Sequence, residues 1–309
     1  MVGASGKNRD DVAARPFLKW VGGKRQLLDE ISRYYPFADR QITKYAEPFV
    51  GGGAVLFDIL NKYQLSAVYI SDINWALINT YLAVRDYPQE LVARLSQLQG
   101  EFLPLTPDRR KLYYNMQRGV FNEWLAASSN THCDVTAASL MIFLNKTCFN
   151  GLYRVNKKGL FNVPVGSYKS PIICDADNIL LASERLKGVA IVCGDYRESG
   201  EFIDDHTFAY FDPPYRPINR TSSFTSYTDQ GFGDLAQIEL ADFINKMSAK
   251  GARIVLSNSD PKNVDTNDNF FEEIYRSHKI ARVAAKRMIN CKGAGRGQIG
   301  ELLISNFGV

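Results

Sequence analysis

The run Thr207-Phe-Ala-Tyr-Phe211, followed at once by Asp212-Pro213-Pro214-Tyr215, restricts the fold of this chain more than any other segment. It shows no alternation of apolar and polar residues, so it reads as a strand buried on both faces, the kind that lies inside a parallel sheet. The prolines then end the strand. Each fixes its own φ, and Pro214 drives Pro213 into an extended conformation. An acid and an aromatic are thus expected at a rigid corner on the carboxyl end of a buried strand.

Such a corner suits an amino group. The exocyclic amine of a nucleobase is a poor nucleophile because its lone pair is delocalised into the ring, so fixed acceptors must draw its hydrogens out of conjugation. Asp212 offers a carboxylate and Pro213 a backbone carbonyl of set direction. Tyr215 offers a flat face for a base to stack on. Taken alone, the tetrapeptide is also what a turn before a core tyrosine looks like.

Two further segments bear on the choice. Tyr45-Ala-Glu-Pro-Phe-Val-Gly-Gly-Gly-Ala-Val-Leu-Phe57 reads as a strand, a glycine turn and a helix running to about Tyr63. Glycines let a ligand approach the backbone, here between Glu47, Phe49 and the helix start. About twenty residues on, Ala67-Val-Tyr-Ile-Ser-Asp72 is a second strand ending in an acid, where nucleoside-binding α/β folds hold ribose hydroxyls. Neither the dinucleotide G-x-G-x-x-G nor a phosphate loop is present, since Gly22-Gly23-Lys24 is followed by Arg25. Phe17-Leu-Lys-Trp-Val-Gly-Gly-Lys-Arg25 puts Trp20 and Lys24 on a glycine-broken loop, either an amino-terminal packing element or the cover of a nucleoside cofactor.

In this order, Phe-Leu-Lys-Trp-x-Gly-Gly-Lys, Glu-Pro-Phe-Val-Gly-Gly-Gly, Ser-Asp-Ile-Asn, Phe-Asn-Gly-Leu-Tyr-Arg-x-Asn, Phe-Asn-Val-Pro and Asp-Pro-Pro-Tyr resemble the Dam family of DNA adenine-N6 methyltransferases. Within that family the chain is most similar to the DpnII-type modification methylases, including Phe224-Thr-Ser-Tyr-Thr228 after the corner. The resemblance runs from Phe17 to about Phe307. It implies an α/β fold: a Rossmann-like S-adenosylmethionine-dependent methyltransferase sheet with an inserted, mostly helical DNA-recognition module carrying a β-hairpin. It implies S-adenosylmethionine as donor, S-adenosylhomocysteine as product and double-stranded DNA as partner. A sulfonium methyl is already activated, so no metal is expected.

The resemblance also assigns residues. Trp20, Gly22, Gly23, Lys24, Glu47, Pro48, Phe49, Gly51, Asp72, Asp195, Tyr196 and Asp212 would hold the cofactor, and Asp212, Pro213, Pro214 and Tyr215 would be catalytic. Asp195 and Tyr196 follow the strand Val189–Cys193. By similarity they would bind and stack the cofactor adenine, although a strand-end turn explains them equally. Lys19, Phe149, Asn150, Leu152, Arg154, Asn156 and Pro164 would meet DNA. Phe149 is the expected wedge beside the flipped base, and Arg154 the bidentate reader of a guanine. The resemblance implies GATC or a related short sequence as the site; Ser167, standing where relatives carry arginine, lacks a base or phosphate contact and weakens the case for GATC itself.

Composition agrees. A chain of 309 residues with 45% apolar content can bury one large core and a smaller insertion. The net charge of +4 permits nucleic acid as partner. Its distribution says more. No acid occurs from Val135 to Cys174, where Lys146, Arg154, Lys157, Lys158 and Lys169 alternate with aromatics, or from Ile274 to Gly300. The tip Lys292–Gly297 of the second stretch reads as a hairpin loop near DNA. Five widely spaced cysteines fit a reducing cytoplasm. No signal peptide is expected from the polar first sixteen residues, and Ala137–Leu144 is too short to span a bilayer. Monomeric action on a duplex is expected.

The organisation follows: residues 1–16 disordered, 17–74 and 175–309 a discontinuous catalytic domain, and 75–174 a DNA target-recognition insertion. Helices are expected over 73–85, 88–99, 108–126 and 136–148, with a hairpin across Leu152 to Val163. Asp72, Asp195 and Asp212 each end a strand and should share one crevice. The Ser- and Thr-rich segment Arg216 to Gly233, with Phe224 and Tyr227, is either a mobile cover or a solvated loop. The competing functions are cytosine-N4 methylation, which serine at position 212 would favour; methylation of RNA or a protein glutamine, where asparagine is common there; and a DNA-binding regulator of this fold without activity.

Overall fold

The computed structural model describes residues 13–127, 132–216, 232–286 and 298–308. Residues 1–12, the aromatics Phe224 and Tyr227, and the tip Lys292–Gly297 lie outside them. Disorder is expected up to residue 16 from the sequence, yet Ala14 is buried, at 3% exposed. Its N–H donates to Asn61 Oδ1 and its carbonyl accepts from Asn61 Nδ2, so Asn61 satisfies the backbone there.

The chain divides into two compact units: Met1–Gly23, Gly52–Tyr63 and Asn74–Lys187 in one, and Lys24–Gly51, Gln64–Ile73 and Gly188–Val309 in the other. The second is built on a seven-stranded sheet. Its strands are β1 (Lys44–Glu47), β2 (Ala67–Asp72), β3 (Ala190–Cys193), β4 (Thr207–Phe211), β5 (Arg253–Ser259), β6 (Lys279–Lys286) and β7 (Gln298–Ser305), ordered β3-β2-β1-β4-β5-β7-β6. The first five are parallel. β7 lies antiparallel between β5 and β6, and β6 and β7 are the arms of the hairpin expected around the glycine-rich tip. Every residue of β4 is buried, as its unbroken apolar run requires.

The chain builds outward from β1 through β2 to the edge strand β3, then returns to lay β4 on the other side of β1. Strand order therefore reverses between β1 and β4, and an open α/β sheet binds ligands in the crevice beyond the carboxyl ends of such strands. Asp72, Asp195 and Asp212 stand at that edge, as expected from the sequence.

Alternate strand residues divide the chemistry between the two faces. One face is apolar. Ala46, Ala209, Phe211, Ile254, Leu256, Leu302 and Ile304 pack with Leu240, Ile244 and Met247 of α8 (Asp234–Ala249), and with Phe271 of α9 (Phe270–Ile274). The residues between them mix apolar Phe208, Val255 and Leu303 with buried polar groups that pair by hydrogen bonds, Tyr45 with Glu47 and Tyr210 with Ser257. A short helix, α1 (Leu28–Ser32), also belongs to this unit.

The other unit is helical: α2 (Ala54–Lys62), α3 (Trp75–Asp86), α4 (Pro88–Phe102), α5 (Pro107–Ala126), α6 (Val135–Thr147) and α7 (Ala176–Leu186). α3, α4 and α5 all pack on α6. That helix is apolar all round and buried along almost its whole length, which places the stretch Ala137–Leu144 at the centre of a helical core. Asp134 caps it by accepting from the Ala137 N–H. α4 runs past its expected end to Phe102, whose ring packs edge-on against Phe143. The hairpin after α6 is one bridge deep, Val155 to Phe161. Asn156 and Gly159 close its turn, with Asn156 Oδ1 accepting from the N–H groups of Lys158 and Leu160. Among the described residues no helix is long and apolar enough to cross a membrane, and no group of acids, histidines and cysteines could hold a metal ion.

Candidate active site

Asp212 directly follows the last residue of β4, and a small polar network surrounds it. Lys24 Nζ lies 2.7 Å from Asp212 Oδ1, and Ser257 Oγ, one strand away on β5, donates to the same oxygen at 3.0 Å. Ser257 Oγ is also 2.8 Å from the hydroxyl of buried Tyr210. The corner carries two carbonyls in different states. That of Pro214 accepts from Gln237 Nε2 at 3.1 Å, and Gln237 is itself held by Asn258. That of Pro213 accepts no hydrogen bond among the described residues.

Tyr215 is held at both ends of its side chain. The Lys24 ammonium sits 4.8 Å from the ring centroid, and the hydroxyl donates to Glu301 Oε2 at 2.6 Å. Burial, then the Asp212 and Glu301 carboxylates, push the phenol far above its ordinary value, so Tyr215 stays protonated and remains the donor. Burial also raises the Glu301 carboxyl, against the opposing pull of Lys24 and the Tyr215 hydroxyl.

At the end of β1 the chain turns through glycines. Gly51 adopts φ 47°, and its N–H donates to Asp72 Oδ2 at 3.2 Å, which ties the turn to the acid ending β2. Val50 N–H bonds the Ser71 carbonyl beside it. Glu47 is buried and accepts from the Tyr45 hydroxyl at 2.7 Å, while Pro48 is buried and Phe49 half-buried. Burial, then the Glu47 carboxylate, raises the Tyr45 phenol, which keeps it a donor.

Asp195 and Tyr196 form a strand-end turn, one of the two readings the sequence left open. Asp195 caps a short 3-10 helix, Tyr196–Glu201, in a capping box with Glu198. Tyr196 is 3% exposed, with Phe49 stacked on it and Phe243 against its edge, so the open face expected of it is closed. Phe49 is the aromatic of the pair that reaches solvent.

In the helical unit, Lys19 and Trp20 are joined to the loop after α6 by one side chain. Buried Asn145 accepts from the Lys19 N–H and donates to the carbonyls of Lys19 and Gly151. Trp20 stacks on Tyr153 at 5.7 Å, and Lys19 Nζ lies over the Tyr168 ring. Gly22 and Gly23 are exposed. Asn150 has φ 56°, unlike any other non-glycine residue described, and Gly151 follows at φ 64°. These left-handed residues follow Phe149, which is 52% exposed. Arg154 is exposed and donates to Asn162 Oδ1; Asn156 is spent on its turn; Leu152 is half-buried and Pro164 exposed. From α5, Tyr114 and Asn122 hold the backbone of Val163 and Phe161 in place.

Residues 20–289 match the family described as D12 class N6 adenine-specific DNA methyltransferase. The chain belongs to that family. It is 50% identical to the Type II methyltransferase M.MjaIII of Methanocaldococcus jannaschii, over 95% of this chain and 99% of the relative. It is 35% identical to the Type II methyltransferase M1.LlaDCHI of Lactococcus lactis subsp. cremoris, over 97% and 98%. To a DNA adenine methylase of Vibrio cholerae it is 34% identical, over 94% and 95%.

Sequence reading of this adenine-specific DNA methyltransferase missed Ser257, Gln237, Asn258 and Glu301 at the corner, and Asn145 in the helical unit. Two signals were present. Ser257-Asn-Ser-Asp260 is a polar run at the carboxyl end of an apolar strand, and Glu301 is the acid that ends the acid-free stretch from Ile274. Nothing local reveals Gln237 or Asn145, which lie inside helices and act across the fold.

Proposed function

We propose that this chain transfers a methyl group from S-adenosylmethionine to N6 of an adenine flipped out of duplex DNA, at GATC or a related short site. The observation that carries the reading is the position of Asp212-Pro213-Pro214-Tyr215 at the carboxyl end of β4, the strand beside β1 where strand order reverses. An adenine in a duplex cannot enter such a crevice, and extruding it costs a few kcal/mol.

Lys24 and Ser257 already occupy Asp212 Oδ1, so the second carboxylate oxygen is the acceptor we assign to N6, with the unclaimed Pro213 carbonyl as its companion. Two acceptors on the amine draw its lone pair out of conjugation, and Tyr215 stacks on the ring. Asp212 is no strong base here: the N6 proton becomes acidic only after methyl transfer, and water takes it.

The edge made by Gly51, Asp72 and Phe49 fits a nucleoside. A partly exposed carboxylate fixed to the turn suits ribose hydroxyls, and a half-buried ring suits the cofactor adenine. When bound there, the cofactor supplies a methyl activated on sulfur. Glu47, Pro48, Asp195 and Tyr196 support that edge, and Trp20, Gly22, Gly23 and Lys24 complete the assigned set. We assign residues 75–174 to target recognition, with Lys19, Phe149, Asn150, Leu152, Arg154, Asn156 and Pro164 on its DNA side.

The test is incubation with tritiated S-adenosylmethionine and unmethylated plasmid duplex, then digestion to nucleosides. Label in N6-methyldeoxyadenosine is expected. Label in N4-methylcytosine, or none in DNA, overturns the reading, and sequencing of the methylated DNA identifies the site.

A further inference from the structure

Glu301 reaches the corner from β7, the strand that runs against the rest of the sheet. Its place on the ladder is set twice, opposite Ser259 on β5 and Val283 on β6. The residue before it is pinned as well. Gly300 N–H donates to Asn263 Oδ1 at 2.8 Å, and its carbonyl accepts from Asn263 Nδ2 at 2.7 Å and from the Asp260 N–H at 3.1 Å. Asp260 is buried and bonded by Arg282 Nε at 2.8 Å, and Leu302 on the other side of Glu301 is fully buried. The carboxylate therefore stands on a rigid backbone. It spends one oxygen on the Tyr215 hydroxyl.

We propose that Glu301 is a positioning residue for methyl transfer: by holding the Tyr215 hydroxyl, it keeps the ring in the one orientation in which a flipped adenine can stack on it. This rests on reading the Asp212 corner as an adenine pocket. Tyr215 rotates about two side-chain bonds, and a cation over its ring does not specify a rotamer. A hydrogen bond to an acceptor on a fixed backbone at the far end of the side chain does. Reacting groups must be held closely, since a misplacement of about 1 Å costs on the order of a hundredfold in rate. The acid on β7 thus supplies orientation without touching the base.

Single-turnover transfer of tritiated methyl to unmethylated plasmid duplex tests this in four variants, each melted as a fold control. Glu301→Ala and Tyr215→Phe remove the same bond from opposite ends, and each is expected to slow the rate about tenfold while half-saturating DNA stays within about twofold of wild type. The double variant is expected to be no slower than the slower single one. Glu301→Gln keeps an acceptor for the hydroxyl and is expected to recover most of the rate. Losses that multiply in the double variant, Glu301→Ala at the wild-type rate, or Glu301→Gln as slow as Glu301→Ala with an unchanged melting point would each overturn the assignment. Should Glu301→Ala fail to fold, Tyr215→Phe and Glu301→Gln decide it. If wild-type protein transfers no label to DNA, the adenine reading itself fails and this assignment falls with it; if only the Glu301 variants behave unexpectedly, the adenine reading stands.

Discussion

Lys24 Nζ and Asp212 Oδ1 form an ion pair at 2.7 Å, with the Lys24 side chain 4% and the Asp212 side chain 20% exposed. Asp212→Ala takes the anion away from a buried ammonium and should cost about 3 kcal/mol of stability, at the lower end of the range for a broken buried pair. Transfer should fall by about a hundredfold or more, as when a preorganised polar group is removed from a site. Duplex affinity should be largely retained, because affinity for a duplex comes mainly from cationic contacts to phosphate, which a carboxylate does not make. Calorimetry, single-turnover rates and filter binding measure the three effects; turnover retained in Asp212→Ala would refute the role assigned to that carboxylate.

The glycine turn is predicted to resist substitution for reasons of packing as well as ligand approach. Gly53 has φ 71°, and a Cβ there would collide with the Tyr81 hydroxyl. Left-handed strain alone is roughly 1–2 kcal/mol, so Gly53→Ala should destabilise by at least about 2 kcal/mol in denaturant melts. Gly100, inside α4 with nothing near its missing Cβ, should behave oppositely, Gly100→Ala stabilising by roughly 0.5–1 kcal/mol.

Among the residues we assign to DNA, exposure separates function from stability. Phe149→Ala should leave stability within about 0.5 kcal/mol, since little packing is lost, yet slow methylation by lessening base extrusion. Arg154→Ala should weaken discrimination at one base pair by roughly 1–3 kcal/mol. Competition between cognate and random duplexes checks this. Equal losses on both would mean that Arg154 touches only backbone.

Acid should expose a clamp beside the active corner. Arg216 Nε lies 2.6 Å from Asp234 Oδ1, and Arg216 Nη1 lies 2.6 Å from Asp268 Oδ2. The hydrogen bond from Arg216 holds the Asp234 carboxyl below its ordinary value. A depressed folded-state value means that the contribution is complete above about pH 4 and is withdrawn as pH falls further. The melting point of Arg216→Gln should therefore lie below that of wild type at neutral pH, with the gap narrowing in acid. A gap independent of pH would show that the clamp acts by packing on Phe270, 4.2 Å from the guanidinium, rather than by charge.

The sequence by itself determined what depends on near neighbours. The unbroken apolar run of β4, the prolines behind it, the glycines after β1 and the acids closing β2 and β4 all declare themselves, because strand burial, proline φ and glycine freedom are properties of a few consecutive residues. The helices around α6 were legible on the same ground, and their ends moved by only a few residues, as with Phe102, where a buried ring extends α4. Only the tertiary structure decided which groups meet. Lys24 reaches Asp212, Glu301 reaches Tyr215, and Asn145 joins Lys19 to Gly151, each across elements whose register and order no local pattern encodes. Tyr196 marks the same boundary: its place after β3 was readable, but whether its ring faced a ligand or the core depended on Phe49 and Phe243 arriving from other parts of the chain.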